Sequence, residues 1–173
     1  NITGHTGLTA LLGSPVAHSI SPLMHNESFR LLGLDYVYLC FDVNEETLPA
    51  AVAGLKTCGI RGFNLTMPNK NKIVELLDEL SPEAQLIGAV NTVLNDNGKL
   101  IGYNTDGYGF MQSVRDAGHD ITGKNITVMG VGGASMAICA QSALDGAASV
   151  HIFARRTSRY WNRTQKFAEN LSA

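Results

Sequence analysis

Lys70 closes the stretch Asn64-Leu-Thr-Met-Pro-Asn-Lys70, directly after a proline-bounded strand end and behind two asparagines and a threonine, where no apolar surface needs it. An amine there can give or take a proton at a ligand oxygen once its ordinary pKa of about 10.4 is lowered by burial or another cation. As a structural lysine at a helix start it would oppose the helix dipole. Asp106, in Gly102-Tyr-Asn-Thr-Asp-Gly-Tyr-Gly109, offers a carboxylate, although an Asp before a helix is also a standard N-cap. Brought together, the two would titrate as one coupled unit, because a carboxylate favours the ammonium.

Other polar groups stand at strand ends or turns, where open α/β sheets bind ligands. Ser19 and Ser21 in His18-Ser-Ile-Ser-Pro22 can donate hydroxyls to a small anion, although helix capping alone accounts for Ser21. Thr66 is carried to the sheet edge by the strand before it. Asn91 and Thr92 interrupt an apolar strand and need partners there, so Asn91 is assigned to a ligand or to pinning a turn.

A second kind of chemistry is written in Gly130-Val-Gly-Gly-Ala-Ser135, which follows a strand and opens a helix. Gly130 permits the tight turn, Gly132 admits a pyrophosphate close to the backbone, and Gly133, Ala134 and Ser135 present the helix N-terminus to it. Ser135 replaces the third glycine of the usual fingerprint. Where an NAD enzyme ends the next strand with an acid, this chain has Ala154-Arg-Arg-Thr157, whose guanidiniums suit a phosphate dianion. Arg155, Arg156 and Thr157 are therefore assigned to cofactor, while Arg159 and Arg163 fit phosphate contact and plain surface charge equally.

The elements that must position these residues alternate. Strands are expected in "TALLGSP", "DYVYLCFDV" and "GFNLT", with helices in "SPLMHNESFRLLG", "EETLPAAVAGLKTCG" and "NKIVELLDEL" between and after them. Ser21 is the expected N-cap of the first helix. Asn97-Gly98 between two strand-like runs signals a hairpin, so the sheet should be mixed. After "TDGYGFMQSVRDAG", the run "ITVMGVGG", "ASMAICAQSALDGA", "SVHIFARR" is one βαβ unit followed by a polar helical tail. The fold class is α/β, with an N-terminal mixed-sheet domain over 1–105 and an incomplete Rossmann-type domain over 106–173.

Composition sets the bounds. The chain has 173 residues, 45% apolar and 16% charged with net charge −2, which excludes disordered, fibrous and membrane-spanning classes and argues against a nucleic-acid surface. With no signal-peptide layout at its start, cytoplasmic location is expected. Cys40, Cys58 and Cys139 lie singly in apolar surroundings, suggest neither disulfide nor metal site, and read as core.

The motifs "HSISPLMHN", "GFNLTMPNK", "GAVNTV", "GYNTDGYGF" and "GVGGAS", in this order and spacing, resemble shikimate dehydrogenases, especially the branch that includes quinate/shikimate dehydrogenases. The resemblance implies reversible oxidation of the shikimate 3-hydroxyl to 3-dehydroshikimate in chorismate and aromatic amino-acid biosynthesis, with NADP as the usual acceptor. It implies that Ser19 and Ser21 bind the substrate carboxylate, that Thr66, Lys70, Asn91 and Asp106 contact the ring hydroxyls, and that Lys70 and Asp106 form the catalytic pair. Many members carry Asn at the position of Ala154, which leaves recognition of the adenosine ribose more dependent on Arg155, Arg156 and Thr157; NAD-tolerant members carry an acid at that of Thr157, so Thr157 favours NADP here, with NAD secondary. The resemblance also implies roughly another hundred residues, holding the second nucleotide half and a terminal helical piece. Quinate or an amino analogue as substrate, and a ligand-sensing homologue without catalysis, are the alternatives. Lys70 and Asp106 speak against the last.

Overall fold

In the computed structural model, residues 1–158 and 160–172 are described, so Arg159 lies outside the described residues. The first unit holds β1 (Gly7–Gly13), α1 (Ser21–Leu32), β2 (Tyr36–Asp42), α2 (Leu48–Thr57) and β3 (Gly62–Leu65). It continues with a 3-10 helix (Lys72–Leu76), β4 (Glu79–Leu80), β5 (Thr92–Asp96) and β6 (Lys99–Tyr103). Its sheet runs β2-β1-β3-β5-β6-β4 and is mixed. β1 lies parallel to β2 and β3, β5 is antiparallel to β3 and β6, and β4 is parallel to β6. The β5–β6 turn is made by Asn97 and Gly98 at φ 52° and 92°, the two positive values a type I′ hairpin requires. Leu12, Leu48, Ile60, Ile73, Val90, Val93 and Leu100 form its fully buried core.

The second unit contains α3 (Pro82–Ile87), α4 (Asp106–Asp116), β7 (Asn125–Met129), α5 (Gly133–Leu144), β8 (Ser149–Phe153) and α6 (Trp161–Ser172). β7 and β8 pair in parallel, Asn125 opposite Ser149 through Met129 opposite Phe153. No helix among the described residues is long and apolar enough to cross a membrane.

Several expectations need correction. The helix expected over "NKIVELLDEL" is only the five-residue 3-10 turn. From Asp78 onward the backbone bonds to β6 instead: the Asp78 and Ser81 N–H groups donate to the Leu100 and Gly102 carbonyls at 2.9 and 2.8 Å. The Asp78 carboxylate accepts the Leu100 N–H at 2.7 Å, which holds its pKa below the usual range. Tertiary pairing has overridden local helical spacing. α3 was not anticipated. Ser21 is the first residue of α1 rather than its cap, since Ile20 holds that position and no side chain caps the helix. Cys139 is buried, its thiol pushed up to about 11 by burial, but Cys58 is exposed and no part of the core. Arg163 donates to the Ile87 carbonyl at 3.2 Å and so ties α6 to α3, a structural duty that neither reading of this residue included.

One side chain fixes α1 against the sheet. β2 is an edge strand, and Asn26 of α1 meets its outer backbone as another strand would. Its Oδ1 accepts the Tyr38 N–H at 2.8 Å and its Nδ2 donates to the Tyr38 and Pro22 carbonyls at 2.9 and 2.7 Å. Asn26→Ala leaves both Tyr38 groups without this partner and is expected to lower stability by about 2 kcal/mol in urea unfolding. A loss under about 0.5 kcal/mol would show that water replaces the amide.

Candidate functional site

Strand direction gathers the polar residues of the first unit. β1 and β3 are parallel, and their C-terminal ends carry Ser19, Ser21, Thr66 and Lys70. β5 runs the other way, so its beginning, with Asn91 just before it, lies at the end of β3. Hydrogen bonds continue the pairing past the strands: Thr66 N–H donates to Leu12 at 3.1 Å, Ser14 N–H to Met67 at 3.0 Å and Leu65 N–H to Asn91 at 2.9 Å. Ser19, Ser21 and Thr66 line a single cleft of about 470 Å³ with Ser14, His18 and Met67. Glycine is needed at position 13, since an added Cβ would run into the methyl of Thr66, one of the lining residues.

Half-buried Lys70 occupies the turn between β3 and the 3-10 helix. Its carbonyl accepts the Val90 N–H at 2.8 Å, which sets its backbone beside Asn91. The helix that follows is a single short 3-10 turn starting two residues later, so the dipole argument made for Lys70 has little behind it. The turn is held from below by Asn69, fully buried, whose Nδ2 donates to the Val43 carbonyl at 2.7 Å.

Ser19 also has a structural duty the sequence did not reveal, since its hydroxyl accepts the Ser21 N–H at 3.2 Å. Sequence reasoning missed Asn64 as well. This residue sits in β3 between buried Phe63 and Leu65, and its amide bonds Tyr38, Thr92 and the Asn91 carbonyl. The signal that singled out Asn91, an asparagine inside an apolar strand, applied to it equally.

In the second unit, Asp106 is the first residue of α4 rather than its cap, which is Thr105. Its N–H donates to the Asn104 Oδ1 at 3.2 Å. After β7, the Gly130 N–H donates to the Phe153 carbonyl at 2.8 Å, and its φ of 112° belongs to glycine. Gly132 is the extended N-cap of α5 and Gly133 its first residue. An added Cβ at either would point into open space, so the backbone here leaves room for a closely lying pyrophosphate. Ser135 donates its hydroxyl to the Gly132 carbonyl at 2.9 Å and so closes the turn itself. A cleft of about 490 Å³ is lined by Gly130, Val131, Gly132, Ala154, Arg155 and Ser158. Gly133 and Ala134 are exposed at the helix start, and Arg156 and Thr157 are exposed beyond the lining residues. The free N–H groups of a helix start with a guanidinium at the opposite strand end fit a phosphorylated dinucleotide. Among the described residues no group of three or more His, Cys, Asp or Glu is arranged to hold a metal ion.

Comparison with known proteins gives a consistent picture. The family model described as the shikimate dehydrogenase substrate binding domain matches residues 11–93. Over 172 residues the chain is 51% identical to a shikimate dehydrogenase (NADP(+)) of Listeria monocytogenes serotype 4b, covering 99% of this chain and 59% of that protein. The crystal structure of a shikimate 5-dehydrogenase from Listeria monocytogenes in complex with shikimate and NAD matches with a TM-score of 0.96 at 50% identity, over 99% of this chain and 59% of that one. Ligand-free 5-ketofructose reductase of a Gluconobacter strain matches with a TM-score of 0.90 at 35% identity, over 98% and 60%. The chain thus spans 59% of the length of the curated relative.

Proposed function

We propose, for a chain that belongs to the shikimate dehydrogenase family, the reversible NADP-dependent interconversion of shikimate and 3-dehydroshikimate. The observation that carries this reading is the gathering of Ser19, Ser21, Thr66, Lys70 and Asn91 at one edge of the first unit's sheet. Hydroxyls at the cleft suit a ring carboxylate, with Lys70 and Asn91 beside it for the ring oxygens.

Oxidation at a secondary alcohol becomes easy only if the hydroxyl proton leaves as the carbon is oxidised, so a base must reach that oxygen. Lys70 takes this proton in oxidation and returns it in reduction, and Asp106 orients the amine and helps relay the proton. Gly130, Gly132, Gly133, Ala134 and Ser135 would hold the pyrophosphate of NADP, and Arg155, Arg156 and Thr157 its ribose phosphate. When bound, NADP supplies the hydride acceptor.

The test uses the complete gene product and follows absorbance at 340 nm with shikimate and NADP. Shikimate turnover above quinate, and above 5-ketofructose with NADPH, supports the reading. Faster quinate turnover would move the assignment to that substrate, and binding without turnover would favour a ligand-sensing homologue. In the same assay the Arg155→Ser/Arg156→Ser variant is expected to raise KM for NADP about 10- to 100-fold, as two charge-assisted contacts are lost, and to leave KM for NAD within about twofold. Equal weakening of both cofactors would remove the phosphate role from these arginines.

A further inference from the structure

We infer that Tyr38, Asn64 and Thr92 form a one-way hydrogen-bond relay that fixes Asn91 with its amide N–H, rather than its side-chain oxygen, toward the substrate. The inference deepens the reading above and rests on it for the role of Asn91.

The direction of the relay follows from one fixed acceptor. Asn64 Nδ2 lies 3.2 Å from the Asn91 main-chain carbonyl, which can only accept, so that end of the Asn64 amide must be the nitrogen. The same nitrogen donates to Thr92 Oγ1 at 3.0 Å. Asn64 Oδ1 then faces the Tyr38 hydroxyl at 2.8 Å, and the phenol must donate. Tyr38 is buried, and burial, with a smaller push from Cys40, raises its pKa, so the proton stays on the phenol. Having accepted from Asn64, the Thr92 hydroxyl turns its single proton to Asn91 Oδ1 at 3.0 Å. The Asn91 main-chain carbonyl fixes the polarity of Asn64 and Tyr38, and the last link, as the structure orients it, engages the Asn91 side-chain oxygen. The group that Asn91 then offers a ligand is its Nδ2, a donor suited to a hydroxyl lone pair or a carbonyl oxygen. Strand register makes this possible, because Asn64 and Thr92 stand directly opposite in the antiparallel β3–β5 pair and share a face. Tyr38, Asn64 and Thr92 are positioning residues, acting through Asn91.

The test compares Tyr38→Phe, Thr92→Val, Thr92→Ser, their Tyr38→Phe/Thr92→Val combination and Asn91→Ala in the complete gene product. Thr92→Val, which keeps the shape and removes the hydroxyl, is expected to raise KM for shikimate about tenfold with KM for NADP within twofold. Tyr38→Phe is expected to raise it about threefold, and Thr92→Ser to restore most of the affinity. The double variant should be no worse than Thr92→Val within about twofold, because the relay is already cut; a general packing defect would add instead. The side-chain amide NMR signals of Asn64 and Asn91, recorded without substrate, should both move in Tyr38→Phe. Unmoved signals, or additive losses, overturn the relay. A shikimate KM that rises in Asn91→Ala but not in Thr92→Val removes the relay and leaves the substrate role of Asn91. An unchanged KM in Asn91→Ala removes that role and the inference with it.

Discussion

Lys70→Ala is expected to lower kcat for shikimate oxidation by about 1,000-fold, the middle of the range for loss of a positioned general base. KM for shikimate should change far less, within about fivefold, because Ser19, Ser21 and Thr66 line the cleft independently of the lysine side chain. Lys70→Arg separates two roles that alanine cannot. The guanidinium keeps the positive charge and stays protonated at any working pH, so it can stabilise a developing alkoxide but cannot accept its proton. If Lys70 is the proton acceptor, Arg falls nearly as far as Ala. If charge alone matters, Arg keeps the rate within about tenfold. Near-normal turnover in either variant would remove Lys70 from the proton transfer. Asp106→Asn should produce a loss in kcat of the same kind, smaller because the amine remains.

What the sequence made legible and what it hid divide along a physical line. Signals confined to a few consecutive residues were readable: Asn97-Gly98 requires two positive φ values and makes the hairpin, and the Gly130 turn follows its strand and opens its helix. Features set by distant partners were not. The backbone after Leu76 is settled by β6, some twenty residues on, and no local propensity reports that Leu100 and Gly102 will supply its bonds. Likewise the sequence around Arg163 fits phosphate contact and surface charge equally, and nothing local reports its bond to the Ile87 carbonyl 76 residues away. At Ser19 and Ser21 the residue types were right for a turn, but which hydroxyl served the backbone depended on a one-residue shift in the helix start. Asn64 falls on the same side of that line, since its side-chain partners Tyr38 and Thr92 lie 26 and 28 residues away in the chain.

The helix that begins with Asp106 supplies the second large effect. Gly107 and Gly109 are two residues apart on α4, and helix propensity alone treats them alike: replacing either by alanine should stabilise by up to about 1 kcal/mol. Packing separates them. Gly107 is buried where α4 crosses α5, and an added Cβ would run into the Ala137 carbonyl oxygen and come within 2.9 Å of the Gln141 Cβ. Ala137 is itself fully buried in α5, so its backbone cannot withdraw without moving that helix, and with it the Gly132 turn at its start. Gly107→Ala is therefore expected to destabilise by about 3 kcal/mol, at the upper end of overpacking costs. At Gly109 an added Cβ meets nothing within 4 Å, so Gly109→Ala keeps the propensity gain. Thermal unfolding of the two variants should move in opposite directions. Because the Gly107 clash displaces α4 against α5, the first variant should also lower kcat through Asp106 and raise KM for NADP through the Gly132 turn, and the second should leave both near wild type. Equal unfolding temperatures for the two would mean that α4 and α5 do not approach as closely as Gly107 allows.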